Sequence, residues 1–536
     1  MTTGERSEAP RGGAANLWRR IRSTTADLMS KPCTDYFMIF GIIIVLAALG
    51  VVMVFSSSMT WSVLEGHTVW GTALQQGLMV VAGFAAMWVA MAVRPVTIRR
   101  LALILLVFTI FLLVLVLVPG VGTGREEVGS QSWIVLGPLR LQPSEVAKVT
   151  LAVWGASILA DARPGDQIFK GRLYLFGAVS GVILTLVLAQ SDVGMAVAIF
   201  IVVAFMLLFA GVHTYFIAGL GIMAFLGLVT LMFTGGFRSD RFTTYFHSLV
   251  GDFADTRGKA YQSYQGFLSL ADGGFGGVGL GQSRAKWFYL PEAKNDFIFA
   301  VIGEELGLWG GAAVIILFGL LCYFGVRVAM KSSDRFMSLM AATLTGGVTA
   351  QAFINIGYVI GLLPVTGIQL PMISSGGTSA IITLGSMGLL ANCARHEPEA
   401  ISAMQSYGRP VLDRILLLRE PESPRTYDAR SIGLWPSTYR AGAAPAGAKA
   451  GAAPAAGYGR GARVTSPRRW SQVDRGGADA EPRYATGRGY TQSRRPGGSG
   501  KPGSQNFGHS EYGRYRNQHP HGGRGGSDPN RNRRRR

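Results

Sequence analysis

Residues 290–307, LPEAKNDFIFAVIGEELG, set three carboxylates at the mouth and in the first turns of an apolar segment: Asp296, Glu304 and Glu305. Charge inside such a segment is poorly solvated, so these groups are expected to face protein or water and to find partners. In an unbroken helix, at 100° and 1.5 Å per residue, Glu304 lies roughly 12 Å deeper than Asp296 and about 80° around from it, and Glu305 about 180° around. Only Asp296 then stands at the rim. It suits a helix N-cap, and it equally suits a general base working at a membrane surface. The two glutamates are expected to brace a neighbouring helix or to line the inner wall of a cavity.

Two further clusters carry chemistry. LQPSEVAK, residues 141–148, places Glu145 and Lys148 three apart on one face of a helix that Pro143 can open. They form either a local ion pair or a contact for an anionic substrate. LPVTGIQLPMISSGGTS, residues 363–379, sets Gly376 and Gly377 among Ser374, Ser375, Thr378 and Ser379 at a helix start. That loop is either a structural turn or a cradle of N–H groups for phosphate.

The elements that must position these groups are apolar spans. With 49% hydrophobic and 15% charged residues, the chain reads as a membrane protein. Stretches of spanning or near-spanning length fall at 36–56, 70–93, 101–118, 143–160, 173–189, 193–210, 215–234, 297–330, 336–361 and 379–393. The fold expected is all-α and polytopic, with about ten transmembrane helices in residues 36–395. Arg19, Arg20, Arg22 and Lys31 of the arm 1–35 share one side with Arg94, Arg99 and Arg100, with Arg163, Lys170 and Arg172, and with Arg327, Lys331 and Arg335. That side is cytoplasmic by the positive-inside rule, and an even helix count puts both termini there. The large extracytoplasmic loop 235–295 then joins helices seven and eight, and the three clusters share the outer leaflet. The loop carries Arg238, Arg241, Arg257, Lys259, Arg284, Lys286 and Lys294, which suits either a bound anion or a solvated surface.

From His396 onward, 25 Lys and Arg face 11 Asp and Glu, so +14 of the formal +20 lies in residues 396–536. This Gly-, Arg- and Pro-rich tail lacks the apolar content for a core and is expected to be disordered in the cytoplasm. VLDRILLLRE, residues 411–420, reads as an amphipathic helix on the inner membrane surface. The tail fits a tether to anionic lipid or a dock for an acidic protein partner; nucleic acid is not expected as a partner. Cys33, Cys322 and Cys393 show no paired spacing, which indicates neither disulfides nor a metal motif. No cleavable signal segment is expected ahead of the first span.

Three ordered motifs now support a resemblance. The run YQSYQGFLSLADGGFGGVGLGQSRAKWFYLPEAKNDFIFAVIGEELG, residues 261–307, together with LQPSEVAK and GIQLPMISSGGTS, resembles the SEDS family (shape, elongation, division and sporulation) of bacterial membrane peptidoglycan polymerases. The resemblance covers about residues 36–395, and departs from the family pattern at Gly266, Met372 and Ser375. It implies a ten-helix glycosyltransferase in the bacterial plasma membrane that polymerises lipid II beside a class B penicillin-binding protein. Asp296 matches the family's essential aspartate, and Glu145 and Lys148 match its Glu and Lys after Gln-Pro-Ser. Both cytoplasmic extensions favour a division-type member at the septum over an elongation-type one. The basic tail then suits an acidic recruiting partner such as the tubulin-like division protein FtsZ.

The implied chemistry is transfer of a glycan to the 4-hydroxyl of N-acetylglucosamine, with Asp296 as general base. The leaving pyrophosphate needs positive charge and N–H donors, for which Lys148, Lys286, Arg241 and the loop of Ser374, Gly376, Gly377 and Thr378 are candidates. Direct displacement at an α-linked donor gives a β-1,4 bond. A divalent cation, Mg or Mn, fits as an addition held mainly by the pyrophosphate, because Asp252 and Asp255 are the only close carboxylate pair in the long loop. A lipid flippase and a non-catalytic scaffold of the division machinery are the alternatives. A flippase expects charged groups stepping through to the cytoplasmic side, whereas these gather at the outer end.

Overall fold

The computed structural model describes residues 30–64, 71–125, 129–137, 139–162, 164–233, 261–284 and 293–421, with Ser23, Asp27 and Tyr245. Most of the arm 1–35, the tail beyond residue 421, Arg241 and Lys286 lie outside the described residues.

Helices occupy all ten apolar stretches. They are α1 (Thr34–Leu64), α2 (Gly71–Ala92), α3 (Pro95–Leu115), α4 (Pro143–Leu159), α5 (Gln167–Ala189), α6 (Val193–Phe209), α7 (Thr214–Phe233), α9 (Ile298–Lys331), α10 (Arg335–Val359) and α11 (Thr378–Arg395). Over the described residues, six of them, α1, α2, α3, α5, α9 and α10, are long and apolar enough to cross a membrane by length and composition. The chain is a multi-pass, predominantly helical membrane protein. Local chemistry sets the helix starts: proline occupies the first turn of α3 and α4, where a missing N–H costs nothing. Asp192 caps α6 by accepting from Met195 N, and Asp334 caps α10 by accepting from Phe336 N.

The peripheral spans have a buried side and a side turned outward, whereas α4 and α11 contain no exposed residue. On α3, Ala102, Leu106, Thr109 and Leu113 are buried, while Leu103, Ile104, Val107, Phe108 and Phe111 are exposed, as a lipid-facing stripe requires. Inside, small residues bring backbones together: α11 packs along α2, and a Cβ on Gly388 would fall 2.5 Å from the Met87 carbonyl oxygen. The hydroxyls of Thr109 on α3 and Thr150 on α4 bond at 2.7 Å in the buried contact between these helices.

Four features depart from the sequence reading. Between α3 and α4 the chain forms a small antiparallel sheet, β1 (Gly122–Thr123), β2 (Trp133–Leu136) and β3 (Leu139–Leu141), with Ile134 opposite Leu141. A helix, α8 (Tyr261–Gly273), lies within the loop 235–295. The span α9 is broken at Gly307, whose φ of 68° and ψ of −164° belong to a region essentially reserved for glycine. The break is filled by the loop after α8: Val278 N and Gly279 N donate to the Glu304 and Glu305 carbonyls, and Leu308 N donates to Gly274 O. Backbone groups freed inside a membrane helix are tolerated where protein satisfies them in this way.

The fourth departure is the start of the tail. Residues 396–421, assigned to the disordered tail apart from an amphipathic helix at 411–420, fold onto the bundle as α12 (Pro398–Tyr407) and α13 (Val411–Ile415). The reason is a long-range ion pair. Asp413, fully buried, accepts from Arg395 Nε at 3.1 Å and Nη2 at 2.7 Å, and from Tyr36 Oη at 2.9 Å. Trp88 Nε1 and Arg409 Nη1 add bonds to the carbonyls of Leu416 and Leu418. Val411, Ile415 and Leu417 are left exposed. At the same end, Asp35 joins Arg327 and Lys331 at 3.2 Å each, and Lys331 reaches Glu399 at 2.9 Å.

Candidate active site

Asp296 lies in a turn one residue ahead of Phe297, the N-cap of α9, so it is not itself the cap. Its side chain is half-buried, while its backbone is tightly held. Asn355 Nδ2 and Tyr358 Oη, both on α10, each lie 2.9 Å from the Asp296 carbonyl oxygen, which accepts from this pair. The two preceding carbonyls are held from another direction: Ser374 Oγ donates to Asn295 O at 2.7 Å, and Ser375 N donates to Lys294 O at 2.9 Å. Phe297 packs on Tyr358 with ring centroids 5.8 Å apart.

Glu145 and Lys148 form an i,i+3 ion pair at 2.9 Å, one of the two readings of their spacing, and both are largely buried. Lys148 Nζ also makes a short hydrogen bond to Gln351 Oε1 on α10, and Gln351 Nε2 donates to Gln369 O at 3.0 Å. Glu145, Lys148 and Gln351 line a cavity between α4, α6, α10 and α11 whose further polar wall is Thr343, Thr383 and Ser386. Nearby, Gln142 Nε2 donates to Asp192 Oδ2 at 3.2 Å, and burial pushes the Asp192 carboxyl above its ordinary value.

The loop before α11 is mostly a brace. The Ser374 hydroxyl accepts from Leu370 N at 2.9 Å while donating to Asn295 O, and Thr378 Oγ1 donates to Arg140 O of β3 at 2.6 Å. Those two hydroxyl protons are therefore committed to carbonyls. Gly377, at φ 50°, is the N-cap of α11 and makes no side-chain cap bond. The Gly377 and Thr378 amides stand where a helix start leaves N–H groups without intrahelical acceptors.

Glu304 and Glu305 are both 1% exposed. Glu304 accepts from Ser283 Oγ at 2.7 Å and from Arg284 N at 2.5 Å, and Glu305 accepts from Ser56 Oγ of α1 at 2.7 Å and from Ser283 N at 3.4 Å. They tie α1 and the loop after α8 to the broken span. Their 100° separation does not divide their partners, because Ser283 reaches both.

The structure thus brings Asp296, Glu145, Lys148, Ser374, Gly376, Gly377 and Thr378 to one end of the bundle. Three residues of that end were not singled out in the sequence: Gln351, Asn355 and Tyr358. Their signal is spacing, since polar groups at i, i+4 and i+7 mark one face of an otherwise apolar span. Among the described residues no three of His, Cys, Asp and Glu come together as a group able to hold a metal ion. The Mg or Mn of the sequence reading is one held mainly by the pyrophosphate and asks for no such set, Asp252 and Asp255 lie outside the described residues, and the chemistry below is derived from the chain's own groups.

Comparison with known proteins places this architecture. Residues 36–399 match the family model of FtsW, RodA and SpoVE, described as cell cycle protein. A probable peptidoglycan glycosyltransferase FtsW of Mycobacterium tuberculosis is 40% identical over 416 residues, covering 77% of each chain. The stage V sporulation protein E of Bacillus subtilis is 35% identical over 370 residues, covering 69% of this chain and 99% of its own. Among solved structures, a chain from a peptidoglycan synthase complex that coordinates polymerization and crosslinking superposes with a TM-score of 0.54 at 25% identity, covering 67% of this chain and 96% of that one. With fold, motifs and relatives in agreement, the chain belongs to the FtsW/RodA/SpoVE family of cell cycle proteins, the SEDS family.

Proposed function

We propose that this protein is a peptidoglycan glycosyltransferase of cell division, polymerising lipid II on the outer face of the plasma membrane beside a class B penicillin-binding protein. The observation that carries the reading is the convergence at one end of the bundle of a half-buried carboxylate on a clamped backbone, Asp296, with a buried cation, Lys148, and the amide-rich start of α11. The named relatives support the reaction class and the division role, and the synthase complex supports a cross-linking partner.

The chemistry is a displacement. The Asp296 carboxylate takes the proton of the 4-hydroxyl of the acceptor N-acetylglucosamine. The freed oxygen attacks the anomeric carbon of the donor, the bond from that carbon to the pyrophosphate oxygen breaks, and the electron pair leaves with the polyprenyl pyrophosphate. Attack opposite an α-linked leaving group yields a β-1,4 bond. The departing group needs positive charge rather than a proton. Lys148 supplies charge and the Gly377 and Thr378 amides supply N–H dipoles; Arg241 and Lys286 are further candidates from the outer loop. Both termini lie in the cytoplasm, where the basic tail meets an acidic partner.

The test is reconstitution with the cognate penicillin-binding protein and lipid II on the outer face. Glycan chains from the parent and none from a folded Asp296→Asn support the reading. Chains from Asp296→Asn at the parent rate sink the general-base assignment. Lipid movement without chains identifies a flippase, and neither product identifies a scaffold.

A further inference from the structure

One face of α10 touches both charged parts of the site. Gln351, Asn355 and Tyr358, at i, i+4 and i+7, reach Lys148, the Asp296 turn and the 368–369 segment in succession. Gln351 bridges Lys148 Nζ to Gln369 O. Asn355 Nδ2 lies 2.9 Å from Asp296 O, 2.7 Å from Ile368 O and 2.6 Å from Tyr358 Oη, and Tyr358 Oη lies 2.9 Å from Asp296 O and 2.7 Å from Ile368 O.

Counting protons orders these contacts. Asn355 brings two N–H donors and Tyr358 one O–H, and the acceptors their bonds reach among the described residues are the carbonyls of Asp296 and Ile368 and the Tyr358 oxygen. Three protons meet three acceptors only if one Asn355 proton goes to Tyr358 Oη and the other two protons are divided between the carbonyls. Turning the Asn355 amide over would set its oxygen against two carbonyls, so the orientation is fixed by repulsion as well as bonding. Asn355 is fully buried and Tyr358 is 2% exposed, so water does not replace these bonds without cost.

Resting on the reading above, we infer that α10 is the positioning element of the site: Tyr358 and Asn355 set the Asp296 carboxylate through its own backbone, and Gln351 sets Lys148. None of the three touches the reacting atoms. They act through two groups with different tasks, and that difference is measurable. The Asp296 carboxylate works only during proton transfer, so displacing it lowers kcat. Lys148 meets pyrophosphate charge that is already present in the bound substrate, so displacing it weakens substrate and transition state together and raises KM.

The experiment measures lipid II polymerisation kinetics of the full chain with its penicillin-binding partner for Tyr358→Phe and Gln351→Met, alongside thermal unfolding of each purified variant. Both substitutions keep the size and apolar body of the side chain. Tyr358→Phe leaves both carbonyls to the Asn355 amide alone, a looser clamp that lowers kcat about tenfold with KM within about twofold. Gln351→Met raises KM about tenfold with kcat within about twofold. A helix that is only structural would lower the thermal midpoint and the active fraction in both variants, and both would lose kcat in parallel. That outcome, or a Tyr358→Phe with parental kcat beside an inactive Asp296→Asn, overturns this inference and leaves the proposed function standing. An active Asp296→Asn removes the proposed base itself.

Discussion

Asp413 and Asp296 both sit beside helix ends, and the fold holds them in opposite ways. The Asp413 side chain is fully buried, and its carboxylate is gripped by Arg395 and Tyr36. The Asp296 side chain is half-buried, and it is the backbone carbonyl that is gripped, by Asn355 and Tyr358. The surroundings follow the same division. At the Asp413 end, Arg99 and Arg172 pair with Asp161, and Asp35 pairs with Arg327 and Lys331. At the Asp296 end, amides, hydroxyls and backbone do most of the fixing, and among the described residues Glu145 and Lys148 form the one ion pair between side chains there. Closing charges on one another makes a rigid joint with nothing left over for a ligand. Clamping the backbone beneath a carboxylate fixes the point from which the side chain extends.

The sharpest way to break that contrast is to open the joint. Arg395→Leu leaves Asp413 buried without its cation, a change that typically costs about 3–5 kcal/mol. We expect a large drop in folded yield and thermal midpoint, with Arg395→Leu plus Asp413→Leu recovering most of it. A single variant as stable as the parent would show that the joint does not hold the fold.

The converse experiment is at the other end. Lys148→Gln keeps a donor for Glu145 but removes the positive charge. The kcat/KM for lipid II is expected to fall about 10²-fold, with the loss in KM, because Lys148 meets charge already present in the bound substrate. The thermal midpoint should fall much less than in Arg395→Leu. Equal losses of stability in the two variants would erase the distinction between the ends.

A smaller effect separates the ends by pH. Burial, with Asp35 and Glu399 adding to it and Lys331 and Arg327 opposing, pushes the Glu397 carboxyl up from 4.5 to about 8. The folded chain therefore keeps this proton where the unfolded chain has released it. The resulting stabilisation is fully present below about pH 4.5 and is lost as pH rises through about 8. Glu397→Gln should flatten that part of the stability profile and unfold at a higher temperature than the parent at pH 9. A parent and variant with parallel profiles from pH 5 to 9 would remove Glu397 from the joint's titration.

How much of this could be read in the chain depends on how far each partner lies along it. The ten apolar stretches and the Glu145–Lys148 pair were legible because both are local patterns, hydropathy over a span and a spacing of three on one helix. The break at Gly307 was not, because glycine occurs freely within membrane helices, and only the facing loop at Gly274–Gly279 makes this one unable to take a side chain. A Cβ on Gly307 would lie 2.3 Å from Gly277 N. The folded start of the tail was hidden for the same reason: Asp413 looks like one charge in an amphipathic run until Tyr36, 377 residues earlier, is brought to it. Gln351, Asn355 and Tyr358 could have been flagged by their shared helix face, but their carbonyl partners at 296, 368 and 369 have no sequence signature, since every residue has a carbonyl.

Thr378 gives the smallest effect and a decisive one for the loop before α11. Its residue type suits either a phosphate ligand or a brace, and its hydroxyl donates to Arg140 O of the small sheet at 2.6 Å. Thr378→Val keeps the shape and the backbone amide and removes only that hydroxyl. If the side chain is a brace, the variant loses about 1 kcal/mol of stability, the net value of one such bond, and polymerises lipid II within about twofold of the parent rate, since the amide still faces the pyrophosphate. If the hydroxyl instead leaves Arg140 to bind the leaving group, activity falls by a factor of ten or more while the thermal midpoint hardly moves. Thermal unfolding and initial rates on one purified preparation decide between them, and the second result would return a Thr378 ligand to the site and show that the loop before α11 rearranges when substrate arrives.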